Sequence, residues 1–277
     1  MKHPNEMKLK IVSLSLLFIV MFFSCKKDEQ LIIPRSDSPL LSKVIINDQP
    51  YYEYSYSAAN LISQEISKYQ FTKHSYNNKN QLLNTDYYWD KGILSSSLLV
   101  IDAVLNRIEL VNPFNAVKSG SANYEYNSNN QLIKTTYNRA SVINSEYSVF
   151  TYDGNSRISR QTLYWDNKVS GYIDYYYDGK GNLIKEIMDS VTATGIAVLS
   201  TTAEYEFDDK QNPYKPLSSL MIPGINTNQN NIVKETYTIQ SGVDQKTANI
   251  QVTQTLYEYD ARGYPVKKNG TVKYVYL

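Results

Sequence analysis

The sequence predicts an all-β protein in which tandem antiparallel β-hairpins form one long meander, curled into a barrel-like or rolled sheet. Tyrosine supplies 26 of the 277 residues, and its ring suits a half-buried pleated surface while its hydroxyl stays in water. A short motif of two aromatic residues followed by turn residues recurs along most of the chain. Beyond residue 24, the only indication of helix is a possible turn between Ala58 and Ile66.

The N-terminus has the layout of a secretory signal. Three lysines precede an almost uninterrupted apolar run from Ile11 to Phe23. As a helix this run reaches about 20 Å, which is short of a hydrocarbon core of about 30 Å. We therefore expect residues 1–24 to be a signal peptide that is removed, and not a membrane span.

Cys25 directly follows the apolar run and is the only cysteine in the sequence. A secreted protein with one cysteine cannot form an internal disulfide. The segment Met21–Cys25 resembles a lipobox, the signal after which a diacylated cysteine becomes the first residue of the mature protein. This resemblance implies a lipid anchor on Cys25. The alternative is an incidental cysteine after an ordinary signal.

Residues 25–43 are expected to form a linker that carries the lipid. The charged run Lys26–Gln30 is typical of a solvated tether, and it resembles the stretch that follows the lipid cysteine in many Bacteroidota surface lipoproteins. Lys26 stands where an inner-membrane retention signal would have Asp, which favours delivery to the outer membrane. The Pro- and Ser-containing segment Pro34–Pro39 indicates irregular chain.

Residues 44–277 are predicted to form the repeat domain. Its motif reads aromatic-x-aromatic-Asp/Asn-x-x-Gly/Asn-x-Leu/Ile, and we call the second aromatic residue the anchor. The anchors are Tyr56, Tyr76, Tyr126, Tyr152, Tyr177, Phe207 and Tyr259. Degenerate copies near Ile101–Ile108 and at Thr227–Glu235 occupy the two longest intervals. The sequence therefore predicts eight or nine repeats and roughly sixteen strands.

Each motif has the pattern of a hairpin. Ile173, Tyr175 and Tyr177 alternate along one strand, which puts a large apolar set on one face. The segment Asp178–Gly181 then supplies turn residues, and Leu183 begins the return strand. Strands joined by short turns pair with their neighbours. A sheet of more than about ten strands must curl or fold over.

The spacing Tyr-x-Tyr-Asp-x-x-Gly-x-Leu, carried by Tyr175–Leu183, resembles the YD repeats of RHS-type proteins. The resemblance covers most of residues 51–277. RHS-type proteins build spiralling β-sheet shells from such repeats. In size, repeat quality and lipobox, the chain is similar to Bacteroidota lipoproteins with YD-like repeats and a domain of unknown function. That resemblance implies a porin-like β fold.

The side-chain inventory argues against catalysis, metals and cofactors. Without the signal, His74 is the only histidine, whereas a Ser or Cys nucleophile usually needs a histidine base. His74 occupies the first aromatic position of its motif, so we expect it to replace a packing ring. Zinc and iron sites need Cys and His clusters. Asp153, Asp178 and Asp208 carry oxygens of the kind calcium prefers, but their spacing is that of turn residues.

Charge and aromatic content narrow the function classes. Loss of residues 1–24 removes three Lys and one Glu, which leaves 25 basic and 26 acidic residues. Without a basic excess, nucleic-acid binding is not expected. Exposed Tyr and Trp could stack on sugars or anchor a protein partner, or they could simply hold the repeats together.

We therefore predict a non-enzymatic binding or structural module that is lipid-anchored at the outer membrane and faces the surface or the periplasm. Its expected partners are the membrane, through the lipid, and a glycan or a protein. Two alternatives stay open: an envelope protein that binds or processes glycans with acidic side chains, and an integral outer-membrane β-barrel.

Overall fold

The computed structural model describes residues 39–91, 109–140, 143–220, 222–241 and 247–277. The predicted signal, Cys25, most of the linker and the degenerate copy near Ile101–Ile108 lie outside these residues. No helix in the described part of the chain is long and apolar enough to cross a membrane.

The described chain forms seventeen antiparallel strands in one sheet, with two short 3₁₀ helices. The strands are β1 Leu41–Ile46, β2 Gln49–Tyr56, β3 Ile62–Ser67, β4 Gln70–Tyr76, β5 Leu82–Asp90, β6 Ala116–Tyr126, β7 Leu132–Arg139, β8 Glu146–Tyr152, β9 Ile158–Trp165, β10 Lys168–Tyr177, β11 Leu183–Val191, β12 Ala197–Phe207, β13 Ile232–Ser241, β14 Thr247–Gln254, β15 Tyr257–Tyr259, β16 Pro265–Lys268 and β17 Val272–Tyr276. The 3₁₀ helices are Pro113–Asn115 and Lys215–Leu220. Strand β1 begins three residues before the predicted start of the repeat domain. The helical turn expected between Ala58 and Ile66 is wrong, because residues 58–61 form the turn of a hairpin and β3 begins at Ile62.

The strands form the predicted meander. Each strand pairs with its sequence neighbours from β1 to β14 and from β15 to β17, and β17 pairs back with β1. Among the described strands, no ladder joins β14 to β15, so the sheet is not closed into a barrel. This finding corrects the barrel-like part of the prediction. Only Thr255 and Leu256 connect these two edges, so the sheet curls back on itself.

Every anchor lies opposite the Leu, Ile or Pro residue of its own motif. Tyr177 pairs with Leu183, and the register shifts directly before this pair. The same pairing with the same shift joins Tyr56 to Ile62, Tyr76 to Leu82, Tyr126 to Leu132, Tyr152 to Ile158, Phe207 to Ile232 and Tyr259 to Pro265. A hairpin therefore forms at each of the seven anchors that the sequence indicates.

An eighth pair of this kind joins the first and last strands. Tyr276 lies opposite Leu41, and the Leu277 amide donates to the Leu40 carbonyl at 2.9 Å. In the β10–β11 hairpin, the Asp178 amide donates to the Asn182 carbonyl in the equivalent way. Two segments that are distant in sequence therefore complete one more motif.

The anchor hydroxyls link each hairpin to the one before it. Tyr177 Oη donates to the carbonyl of Ile158 at 2.7 Å. Equivalent bonds run from Tyr56 to Leu41 (2.7 Å), Tyr76 to Ile62 (2.7 Å), Tyr126 to Leu82 (2.9 Å), Tyr152 to Leu132 (2.8 Å) and Tyr276 to Pro265 (2.6 Å). The accepting residues are buried, so each bond satisfies a carbonyl in the core. Two anchors interrupt the series: Phe207 has no hydroxyl, and the Tyr259 hydroxyl donates to the Asp208 carboxylate instead.

The residue after the anchor organises the turn. Asp178 Oδ1 accepts hydrogen bonds from the amides of Lys180 (2.9 Å) and Asn182 (2.8 Å). The same two bonds recur at Asn77, Asn127, Asp153 and Asp260. This geometry is an Asx turn, in which the side chain replaces a backbone acceptor. It explains why Asn or Asp follows most anchors.

Residues 211–230 form an insertion within one of these turns. Asp208 Oδ1 accepts from the Lys210 amide and, across the insertion, from the Asn231 amide, both at 3.0 Å. In other motifs one residue separates the two amide donors, and the insertion takes the place of that residue. The prediction that Thr227–Glu235 forms a separate degenerate repeat is wrong, because the last residues of this segment supply the return strand of the Phe207 hairpin.

The insertion packs on the inner face of the sheet, which we define as the face that carries the anchors. Leu217 is buried in a cluster with Leu41, Tyr54 and Tyr274. Ile222 packs against a second cluster built around residues such as Leu132. Leu220 contacts both clusters, so the insertion fills the space between them.

Candidate functional site

The strand register determines which polar side chains share the inner face with the first aromatic residue of each motif. Residues directly opposite each other in an antiparallel pair project to the same side. The pairs are Tyr54–Glu65, His74–Thr85, Tyr124–Thr135, Phe150–Gln161, Tyr175–Glu186, Tyr205–Glu235 and Tyr257–Lys268. We call the second members the polar belt.

The sequence reasoning missed this polar belt, although a signal for it exists. Each member lies three residues after the Leu, Ile or Pro of its motif. When the motif copies are aligned, this position holds Glu65, Glu186 and Glu235 in three copies and Thr, Gln or Lys in the others. A uniformly apolar inner face would have apolar residues at this position. The repeat motif ends at its Leu or Ile, so it does not include this position.

Glu65 is the belt carboxylate with the strongest electrostatic perturbation. Its side chain is largely buried, and burial alone raises the pKa of its carboxyl to about 7. Burial also raises the pKa of Glu186, but there Tyr205 Oη donates a hydrogen bond at 2.9 Å that favours the ionised form. No donor among the described residues stabilises ionised Glu65 in this way.

His74 lies at the first aromatic position of its motif, where the sequence places it. Its Nδ1 lies 2.9 Å from Thr85 Oγ1, and its Nε2 lies 3.3 Å from Thr72 Oγ1. Burial lowers the pKa of the imidazole to about 4, so the ring is neutral at pH 7. His74 therefore belongs to a hydrogen-bonded group of polar residues on the inner face, in addition to occupying the place of a packing ring.

A cavity of about 380 Å³ lies beside Glu65 and His74, and we call it the inner cavity. Its sheet side is polar and includes Thr72, Thr85 and the phenol of Tyr124. The insertion supplies the opposite wall, which consists of Leu220, Ile222, Pro223 and Asn226. The site therefore combines hydroxyl, amide, imidazole and carboxyl groups with one apolar wall.

A second cavity of about 520 Å³ adjoins the first, since Gln70 and Tyr87 line both. We call it the aromatic groove, because Tyr87, Trp89 and Tyr137 line it together with Arg139. The Trp89 side chain is 37% exposed. At Gly120, a Cβ atom would lie only 2.6 Å from the Asn138 carbonyl oxygen, so glycine permits the close strand contact at the wall of the groove.

The turn acids do not gather into a site. Asp153 and Asp178 lie in separate turns. Burial raises the pKa of each carboxyl, but hydrogen bonds from turn amides and from the Arg157 or Asn182 side chain outweigh this effect, so the pKa of each carboxyl is lowered overall. Asp208 spans the insertion in the same manner. These carboxylates organise turns. Cys25, the predicted lipid site, lies outside the described residues.

No protein-family model matches the sequence, and no curated protein matches it. Solved structures that are similar to the chain include a porin-like protein from Bacteroides uniformis, with 14% identity over 86% of this chain and 98% of that chain and a TM-score of 0.41. A porin-like protein from Bacteroides vulgatus has 11% identity over 87% and 99% of the chains and a TM-score of 0.39.

The Tc holotoxin pore of Photorhabdus luminescens is a third similar structure. It has 10% identity over 74% of this chain but only 12% of that chain, with a TM-score of 0.19. None of these similarities is close enough to carry an argument about function. The resemblances to YD repeats and to lipoproteins remain predictions from the sequence.

Proposed function

We propose that the protein is a lipid-anchored, non-enzymatic binding module of the outer membrane that holds a glycan in the aromatic groove. The observation that carries the proposal is the groove itself, where three aromatic residues lie beside the polar side chains of Gln70 and Arg139. Aromatic faces suit the apolar faces of sugar rings, and polar groups fix their orientation. Its volume of about 520 Å³ suits a small ligand.

The proposed cellular location rests on the N-terminal sequence. A basic stretch, a short apolar run and Cys25 form the signal, and Lys26 rather than Asp follows the cysteine. These features favour an acyl anchor at the outer membrane, with the folded domain facing the surface or the periplasm.

The carboxylates near the groove favour binding over hydrolysis. Most glycosidases use two carboxyl groups that flank the scissile bond. Among the described residues that line the two cavities, Glu65 is the only carboxylate. An acid-based glycan-processing activity would lack its second group there.

A glycan array probed with the purified mature protein tests the proposal, with Trp89→Ala as the decisive variant. Trp165 offers a matched control, because it lies the same number of residues after its anchor, is 45% exposed and lines neither cavity. We expect Trp89→Ala to lower the affinity about tenfold or more, because it removes an aromatic contact with the glycan. Trp165→Ala should bind as the wild type does. Failure of the folded protein to bind any glycan would reject the proposal.

A further inference from the structure

We infer that the inner cavity is a subsite for one uncharged sugar residue, with the Glu65 carboxyl as its central hydrogen-bonding partner. This inference rests on the proposed glycan-binding function and specifies which kind of sugar residue enters the inner cavity. Gln70 and Tyr87 line both the inner cavity and the aromatic groove. A short glycan can therefore place one ring in the groove and the next in the cavity.

The lining of the inner cavity excludes an anionic ligand. Among its described lining residues there is no Lys or Arg, and the one basic side chain, His74, is neutral. A carboxylate or phosphate bound there would therefore find no counter-charge in this lining. The hydroxyls of Thr72 and Thr85 can both donate and accept, as sugar hydroxyls require.

No charged group among the described residues beside Glu65 holds its carboxyl ionised, and with a pKa of about 7 about half of these carboxyls are protonated at pH 7, so the site offers a cationic ligand only a partial counter-charge. The described titratable groups that act on Glu65 or line the cavity with it are Tyr52, Tyr54 and Tyr56 of β2, His74 of β4, Tyr87 of β5, Tyr124 of β6 and Tyr214 of the insertion. Burial raises the pKa of the six phenols and lowers the pKa of the His74 imidazole, so all seven groups are neutral at pH 7. Below the pKa of Glu65 its carboxyl is mainly protonated and supplies one donor and one or more acceptors.

The shape of the inner cavity agrees with a sugar ring. Its volume of about 380 Å³ lies near the lower end of the range for small-molecule sites. Leu220, Ile222 and Pro223 form an apolar wall opposite the polar strands. A sugar ring has the same division, with C–H groups on its face and hydroxyls around its edge.

Isothermal titration calorimetry of the purified mature protein tests this inference at pH 6 and pH 8.5. The neutral probes are maltotriose, cellotriose, mannotriose and triacetylchitotriose, and the charged probes are trigalacturonic acid and the glucosamine trimer. We expect a neutral probe to bind best and to bind about tenfold more weakly at pH 8.5, where ionised Glu65 no longer donates. Glu65→Gln should keep the affinity and remove the pH dependence, whereas Glu65→Ala should weaken binding about tenfold at pH 6.

Glu186→Gln is the matched control, because Glu186 has the same position in the polar belt but lines neither cavity. It should bind as the wild type does at both pH values. If a neutral probe binds and Trp89→Ala weakens its binding while both Glu65 variants bind as the wild type does, the result supports the aromatic groove and rejects the inner subsite. A preference for the glucosamine trimer or for trigalacturonic acid also rejects it. If no probe binds the folded protein, the proposed function fails together with the subsite.

Discussion

Tyr276 of β17 lies opposite Leu41 of β1, in the register that places Tyr177 opposite Leu183. The Tyr276 hydroxyl donates to the carbonyl of Pro265 at 2.6 Å, and the Leu41 carbonyl accepts from Tyr56 at 2.7 Å. The first and last strands therefore take part in the series of anchor hydrogen bonds in the same way as the internal hairpins.

Leu41 should contribute as much stability as its counterpart in an internal hairpin. Leu41 and Leu132 are both 0% exposed. We expect Leu41→Ala and Leu132→Ala each to lower the free energy of unfolding by about 2–5 kcal/mol in urea titrations, because each leaves a cavity in the core. Leu83→Ala, at a side chain that is 49% exposed, is the control. A much smaller loss for Leu41→Ala than for Leu132→Ala would show that the eighth pair contributes little.

The anchor hydroxyls should have a measurable effect of their own. Tyr177→Phe keeps the ring but leaves the buried Ile158 carbonyl without its hydroxyl donor. We expect a loss of about 1–2 kcal/mol in the free energy of unfolding. Tyr176→Phe is the neighbouring control, since Tyr176 is 47% exposed. Equal effects of the two substitutions would contradict a specific role for the anchor bond.

Asp208 should be needed to hold the two ends of the insertion together. Its carboxylate accepts from the amides of Lys210 and Asn231 and from the hydroxyl of Tyr259. Asp208→Ala should therefore lower the free energy of unfolding by about 1–3 kcal/mol, since it leaves several donors unpaired. Asp209→Ala is the control, because the Asp209 side chain is 75% exposed and pairs with Lys210. Denaturation curves that coincide for the two variants would refute this role.

Glu65 should make the folded protein less stable as the pH rises. Burial raises the pKa of Glu65 from 4.5 to about 7, so the folded state retains a proton that the unfolded state has lost. The free energy of unfolding therefore falls between about pH 4.5 and pH 7 and then levels off. We expect Glu65→Gln to be more stable than wild type at pH 8, by roughly 3 kcal/mol at most, and similar at pH 4. Glu125→Gln at the surface should show no such difference, and a pH-independent effect of Glu65→Gln would exclude this explanation.

Cys25 should be the only attachment to the membrane. We expect Cys25→Ala to move the protein from the membrane fraction to the soluble fraction. The circular dichroism spectrum should not change, because Cys25 precedes the first described strand by many residues. A substituted protein that still sediments with membranes would contradict the lipid anchor.

The hairpins could be predicted from the sequence because their determinants are local. Tyr177 ends a strand, Asp178 accepts the turn amides and Leu183 begins the return strand, all within seven residues. Alternation of apolar side chains determines which face each residue takes. A meander follows because short turns leave consecutive strands side by side.

Longer-range relationships could not be predicted from local chemistry. The Thr227–Glu235 segment looks like the end of a motif because it is one, but its other half lies before the 20-residue insertion. Leu40 and Leu41 likewise lack an aromatic pair in front of them, since β17 supplies it from the other end of the chain. In both cases, the partner becomes visible only when separated segments are brought together.

By itself, the sequence determined the all-β class, the position of the hairpins and their turn chemistry, because each depends on side chains within a few residues of one another. The tertiary structure decided the pairing of β1 with β17, the absence of a ladder between β14 and β15, and the packing of the insertion against the inner face. It also decided the environment of Glu65, whose pKa depends on burial by residues from several strands and the insertion. Desolvation is a property of the assembled interior, so a local pattern does not contain it.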